Sequence, residues 1–298
     1  MVKETNHIAI DDTFAEAFGM KATRIIVTAL DEHWARRAGA TMTGFATSVI
    51  GCGVEAGVER DMAPHETPDG RPGVAILLFG VSGTELAKQL ERRVGQCILT
   101  CPTTAVFAGM DGDEQLALGK NLRYFGDGWQ ISKVVADRRY WRVPVMDGEF
   151  IAEETTGRCK AVGGGNFLVL ARSQEAALRA CEAAVTAMRR LPNVIMPFPG
   201  GIVRSGSKVG SKYKALMAST NDAYCPTLRG LVDSQLGPEV RAVMEIVVNG
   251  LTPEDVSGAM RAGIEAVIDY GDDILRISAG NYGGNLGEFH FHLHEIMA

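Results

Sequence analysis

A pattern that recurs four times constrains this chain more than any other feature: an apolar run, a stretch of helical period, then a second apolar run. The first copy starts with Arg24-Ile-Ile-Val-Thr-Ala29. It sets Asp31 where a carboxylate can cap a helix, turns Trp34, Ala35 and Ala38 inward, and returns over 45–50. The second runs over 74–79, starts its helix at Ser82-Gly-Thr84, spaces Leu86, Leu90 and Val94 four apart, and returns through Cys97-Ile-Leu99 before Pro102. The third runs over 166–171 with Ser173 as cap. Its helix carries Ala177, Ala180, Cys181, Ala184, Val185 and Met188, and it returns over 193–196. The fourth runs over 243–248 into Thr252-Pro-Glu-Asp255, where a Thr cap, a Pro at the first helical position and an Asp three residues after the cap mark a helix start. Val256, Met260, Ile264 and Val267 form its stripe, and 274–278 is its return strand.

Two strand–helix–strand units in tandem build a split β-α-β, or ferredoxin-like, layer of helices on a sheet. Four units predict an α+β fold of two tandem ferredoxin-like lobes, residues 1–146 and 147–298. The seam falls at Met146-Asp-Gly148, after the strand Trp141-Arg-Val-Pro-Val145. A doubly wound Rossmann sheet shows the same alternation. No phosphate-binding fingerprint opens the first helix, which argues against it.

Composition narrows the functional classes. The formal net charge is −6 and the basic residues are scattered, with short pairs such as Arg92-Arg93 and Arg189-Arg190, so no basic field favours nucleic acid. No stretch approaches the roughly 20 apolar residues of a membrane helix, and the first residues carry no secretory pattern, so a soluble cytoplasmic protein is expected. In that setting the six cysteines are expected to be reduced and mostly buried.

Loops rich in glycine and small polar residues remain: 67–73 with its cation Arg71, 95–105, 197–212 and 278–287. Glycine removes the Cβ that would keep a ligand away from backbone amides. The 200–212 loop leans functional, because Gly200 and Gly201 precede Ser205, Ser207 and Lys208, yet it does not match a Walker phosphate cradle. Tight turns between strands are the plain alternative for each loop.

Pro197-Phe-Pro-Gly-Gly-Ile-Val203, Ser205-Gly-Ser-Lys-Val-Gly-Ser211, Gly95-Gln-Cys-Ile-Leu-Thr-Cys-Pro-Thr-Thr-Ala-Val-Phe107, Thr67-Pro-Asp-Gly-Arg-Pro-Gly73 and Ile277-Ser-Ala-Gly-Asn-Tyr-Gly-Gly284 together resemble formylmethanofuran–tetrahydromethanopterin formyltransferases. Asp12-Thr-Phe-Ala-Glu-Ala-Phe18, Phe125-Gly-Asp-Gly128 and His292-Leu-His294 fit as well, so the resemblance covers nearly the whole chain. It implies two ferredoxin-like lobes, a homotetramer without cofactor or metal, and transfer of a formyl group between methanofuran or methylofuran and N5 of tetrahydromethanopterin. It also implies, for bacterial members, partner subunits of a formyltransferase/hydrolase complex. A noncatalytic scaffold subunit of such a complex is the competing reading.

Formyl transfer between two amine carriers passes through a tetrahedral centre and needs oxyanion donors and a proton donor. The resemblance places the catalytic acid at Glu245. From the residues alone, Glu245 sits in an apolar run, where desolvation keeps a carboxyl protonated; Arg241 on the same strand face offers a simple ion pair instead. Gly200, Gly201, Ser205 and Ser207 are expected to help hold the formyl donor, and Lys208 and Arg71 to meet carrier carboxylates or phosphate. Cys101 and Cys225 admit a formyl-thioester route, but no histidine lies near either in sequence. His290, His292 and His294 would share one face if 288–294 is extended. Lacking carboxylate or cysteine companions, they read as a polar face or a subunit contact rather than a metal site.

Overall fold

The computed structural model describes residues 8–112, 114–271 and 273–298. The chain forms two compact units, Met20–Ala161 and a second built from residues 8–19 with Val162–Ala298. It passes from one to the other within two long strands, Phe14–Thr28 (β1) and Thr155–Ala171.

In the Met20–Ala161 unit, β1 leads to helix Glu32–Thr43 (α1) and then to Glu55–Met62 (β2) and Gly73–Gly80 (β3). Helix Gly83–Arg93 (α2) and strand Ala105–Ala108 (β4) follow. The strands lie in the order β2-β3-β1-β4, all antiparallel. Asp31 accepts from the Trp34 amide and Ser82 from that of Glu85, so both helices begin at their expected caps. Ala35, Ala38, Met42, Leu86 and Leu90 then pack on Ile25, Val27, Ile76 and Leu78, all of them closed to solvent. Ile131–Val135 (β5), Arg138–Val145 (β6) and Gly148–Glu153 (β7) form an antiparallel meander that joins β4 in parallel through β7.

Two return strands differ from the expectation. Residues 49–52 are a helical turn capped by the Ser48 hydroxyl and closed at Gly53, whose φ is +74°, so the strand starts only at Glu55. At 97–99 the apolar residues continue the helix instead. Leu86, Leu90, Val94 and Ile98 recur every fourth position and are buried, and the helix ends in a π-helical turn over Val94–Ile98 before the strand at Ala105. Buried strands and buried helix segments read alike over such short runs.

The second unit repeats the scheme with Thr155–Ala171 (β8), Gln174–Met188 (α3), Val194–Ile195 (β9), Ala242–Gly250 (β10), Pro253–Tyr270 (α4) and Ile274–Ser278 (β11). Its order is β9-β10-β8-β11, antiparallel throughout. The short strand Ala9–Ile10 adds in parallel to β11, and Phe289–His292 (β12) pairs with the first residues of β1. A doubly wound parallel sheet is thereby excluded; the fold is mixed α/β. Both helices start as the sequence predicts, α4 with a full Thr252–Asp255 capping box. They cover one sheet face, where Gly263 lets α4 approach closely: a Cβ there would lie 2.7 Å from Met188 Sδ and 2.9 Å from the Phe167 ring. The opposite face carries Leu168, Leu170, Val243, Glu245 and Ser278, with Tyr224, Leu236 and Val240 packed over part of it.

Candidate active site

Alternation along β10 decides which residues share a face with Glu245. Met244, Ile246 and Val248 point into the helix layer and are buried, so Glu245 points the other way. Register sets Leu168 of β8 directly beside it and Ser278 of β11 beyond Leu168. On its outer side Val203 extends the sheet by one rung, with the Val203 amide donating to the Glu245 carbonyl at 2.7 Å and the Glu245 amide donating back at 2.9 Å. That rung brings the loop over 199–205 to the strand edge carrying Glu245.

Glu245 is half-buried, and burial pushes its carboxyl up to about 7. Arg241 is exposed and makes no ion pair with it among the described residues. A carboxyl protonated near neutrality is therefore available as an acid.

The loop turns through two glycines in the left-handed region. Gly200 and Gly201 take φ of +66° and +87°; the Cβ direction of Gly200 is open, whereas a Cβ on Gly201 would lie 2.9 Å from a Val185 methyl. Beside it runs a cavity of about 790 Å³ lined by Leu178 and Arg179 of α3, by Phe198, Gly200 and Ser205 of the loop, and by Met244. Ser205 and Ser207 are exposed. Lys208 lies farther along, on the small hairpin Lys208–Val209 with Ala218–Ser219, and its ammonium pairs with Asp222 at 2.5 Å. The ion pair holds the Asp222 carboxyl below its usual value.

Arg71 belongs to the Met20–Ala161 unit and is engaged there on three sides. Its guanidinium donates to Asp69 Oδ2 at 2.8 Å, to the Thr103 carbonyl at 2.6 Å and to Thr28 Oγ1 at 3.0 Å, bracing the turn over 67–73.

One functional-looking carboxylate is not among the residues singled out from sequence. Glu16 is 1% exposed and accepts from the backbone amides of Tyr282 (2.6 Å), Gly284 (2.9 Å), Leu286 (2.6 Å) and Gly287 (2.6 Å). Burial works to raise its pKa, but the four amides outweigh it and hold the carboxyl at about 2. The signal was there: Glu16 interrupts the run Phe14-Ala-Glu-Ala-Phe18 just as Glu245 interrupts its own.

The remaining candidates carry less chemistry. Burial pushes the Cys101 thiol up, and Cys225 donates to the Asn221 carbonyl at 3.3 Å. His290 and His292 flank the Phe14 ring at 4.9 and 5.1 Å, but the strand ends at His292. His294 sits in the terminal helical turn Leu293–Met297 and meets the Ile10 carbonyl at 2.9 Å, so the three imidazoles do not share a strand face. Among the described residues no group of three or more His, Cys, Asp or Glu side chains is arranged to hold a metal ion. No helix among them is long and apolar enough to cross a membrane.

The family profile of formylmethanofuran-tetrahydromethanopterin formyltransferase matches residues 3–145, and the profile of the proximal lobe of the same family matches residues 148–296. The chain belongs to this formyltransferase family. A family member named formylmethanofuran–tetrahydromethanopterin formyltransferase, from Methylococcus capsulatus, is 67% identical over 98% of this chain and 99% of its own length. A subunit of the formyltransferase/hydrolase complex of Methylorubrum extorquens is 54% identical over 98% of this chain and 96% of its own. Among solved structures, the formyltransferase/hydrolase complex of Methylorubrum extorquens with methylofuran contains a chain that superposes with a TM-score of 0.96 at 53% identity, covering 98% of both chains. The formyltransferase of Methanosarcina barkeri gives 0.93 at 47%, covering 98% of this chain and 99% of the other.

Proposed function

We propose that this chain is a formyltransferase that moves a formyl group between a methanofuran-type carrier and N5 of tetrahydromethanopterin. Relatives that match it over nearly their full length carry that activity in their names. The observation that carries the mechanism is the raised carboxyl of Glu245 on the strand edge joined by the 199–205 loop.

The pterin N5 lone pair attacks the formyl carbon and the carbonyl electrons move to oxygen. Collapse breaks the bond to the furfurylamine nitrogen, which leaves with a proton, while N5 gives up its own; one proton has moved from nucleophile to leaving group. Glu245, protonated at the start, donates toward the developing charge, a role worth about a hundredfold or more in rate. Amides and hydroxyls of Gly200, Gly201, Ser205 and Ser207 hold the formyl donor. Lys208 and Arg71 meet the carriers' anionic groups, Lys208 by exchanging its Asp222 partner.

The same reading makes the halves 1–146 and 147–298 two ferredoxin-like lobes, supported by the strand orders β2-β3-β1-β4 and β9-β10-β8-β11 with a helix after the first and third strand of each. It makes the working enzyme a cytoplasmic homotetramer, alone or with partner formyltransferase/hydrolase subunits, a point that light scattering on purified protein tests directly.

The deciding assay mixes the protein with formyl-methanofuran and tetrahydromethanopterin and follows pterin absorbance. Formyl-pterin should accumulate in proportion to enzyme. Absence of turnover by the protein, alone and with its partner subunits, would make the chain a scaffold.

A further inference from the structure

We infer that Glu16 is a positioning residue of the formyl-transfer site: it shapes the 280–287 loop into a wall on which the half-open rings of Phe18 and Tyr282 receive the flat heterocycle of one of the two carriers. The inference rests on the function proposed above.

Location comes first. On the sheet face that carries Glu245, Asn166 stands opposite Val247, two residues along from Glu245, a displacement of about 7 Å. The Asn166 side chain grips the start of the loop, accepting from the Gly280 amide at 2.6 Å and donating to the Gly280 carbonyl at 3.1 Å. The Glu16 amide donates to that same carbonyl at 3.3 Å. The loop therefore leaves the sheet one row from Glu245.

Its shape is imposed from inside. The four amides from Tyr282 to Gly287 turn inward onto one carboxylate, with Gly283 and Gly284 at φ of +74° and +72° to permit the reversal. Gly287 lies so close that a Cβ would sit 2.4 Å from the Ala17 carbonyl. Asn281 adds a bond to the Phe14 carbonyl at 3.2 Å. A buried carboxylate needs this many donors to be tolerated at all, and in return it fixes the loop in one conformation.

What the loop presents follows from that. The Tyr282 amide is bonded to Glu16, so the Cα from which the Tyr282 ring projects is fixed one bond away. The ring lies 6.2 Å from that of Phe18 at an interplanar angle of 45°, and Phe18 is 37% exposed. Gly164, at φ +93°, leaves the Phe18 ring edge uncovered, since a Cβ there would touch it at 3.4 Å. Two tilted, half-open rings above a glycine suit a flat ring, which the furan and the pyrimidine ring of the tetrahydropterin both offer.

Glu16→Gln tests this. The amide keeps the shape but turns an NH2 group toward two of the four donors. With each carrier varied in turn, KM for one carrier should rise about tenfold while kcat changes by less than about threefold. The carrier affected identifies the ring bound, and its calorimetric Kd should shift by the same factor. A fall in thermal midpoint with both KM and both Kd values unchanged would overturn the inference. If the Gln variant does not fold, Phe18→Leu and Tyr282→Leu, which leave the carboxylate and its donors intact, should raise the same KM and Kd; normal values in both overturn it. Because Kd is read without turnover, a wild-type protein that binds carriers but transfers no formyl group defeats the proposed function and leaves this inference to be judged on Kd alone.

Discussion

Glu16 and Glu245 belong to one compact unit, both on strands and both set among apolar neighbours, yet their carboxyls stand at about 2 and about 7. Desolvation raises both. At Glu16 four backbone amides answer it, because the glycine-rich loop folds back onto the strand. At Glu245 the neighbours across the strands are Leu168 and Val203, whose backbones are spent on sheet hydrogen bonds, so neither offers an amide that answers the burial. Burial alone thus does not say what a carboxylate is for; the donors around it do. One glutamate is a permanent anion holding a loop, the other an acid that exchanges its proton near neutrality.

The comparison breaks most visibly at Glu245. Glu245→Gln should lower kcat by about a hundredfold or more, with KM for either carrier changed little. Wild-type activity should fall as pH rises through about 7, as the acid loses its proton. Steady-state kinetics with both carriers saturating would check this, and near-normal turnover by the variant would remove Glu245 from the mechanism. Stability should move the other way. A carboxyl raised from 4.5 to about 7 contributes stability that is fully present below pH 4.5 and lost as pH rises through 7. The Gln variant escapes that loss, so above pH 7 it should be more stable than wild type by at most about 3 kcal/mol, less whatever partial solvent contact removes. Urea midpoints at pH 5 and pH 8 decide.

Glu16→Gln should do the reverse, costing about 2–4 kcal/mol at pH 7 because two backbone donors lose a charged acceptor. A carboxyl lowered to about 2 contributes stability present above pH 4.5 and lost as pH falls through 2, so the two proteins should converge in acid. A gap in denaturation midpoint that stays constant from pH 7 down to 2 would mean the charge is irrelevant. Next in size is Gly263→Ala. Its Cβ would press on Met188 and Phe167, and the overpacking should cost about 1–3 kcal/mol without touching KM. An unchanged melting temperature would show that α4 can shift to make room.

How much of this could be read from the chain follows the same physics. The helix starts at Asp31, Ser82, Ser173 and Thr252 were legible, because a cap is a local interaction between a side chain and amides a few residues away. The return strands after the first two helices were not. An apolar run such as Cys97-Ile-Leu99 does not reveal whether its partners are strand neighbours or the next turn of a helix, and here Ile98 continues the Leu86–Leu90–Val94 stripe. At the site, Glu245 stood out as a polar residue in an apolar strand. Glu16 carried the same mark, but its four partners lie some 270 positions away, as Leu286 and Gly287 show by separations of 270 and 271. Only the folded chain brings them together. At Arg71 the sequence shows a lone cation in a glycine turn, but its bonds to Thr28 and Thr103 are long-range and silent in sequence.

Lys208 gives the smallest effect and the clearest contrast with both glutamates. Its ion pair with Asp222 is short, but side-chain exposures of 45% and 32% leave it in contact with water, where such pairs are worth about 0–1 kcal/mol. Lys208→Gln should therefore shift the melting temperature hardly at all. If the ammonium exchanges Asp222 for an anionic group of a carrier, KM for that carrier should rise by about threefold to tenfold in the same variant. Added salt should weaken binding by wild type more than by the Lys208→Gln protein, since an exposed charge contact is screened over about 10 Å at 0.1 M salt. Asp222→Asn sharpens the point: freeing the ammonium from its internal partner should tighten the same carrier. A Lys208→Gln protein with unchanged KM and unchanged salt dependence would reduce Lys208 to a surface charge that pins the hairpin, and would leave carrier binding to the neutral amides and hydroxyls of the 200–207 loop.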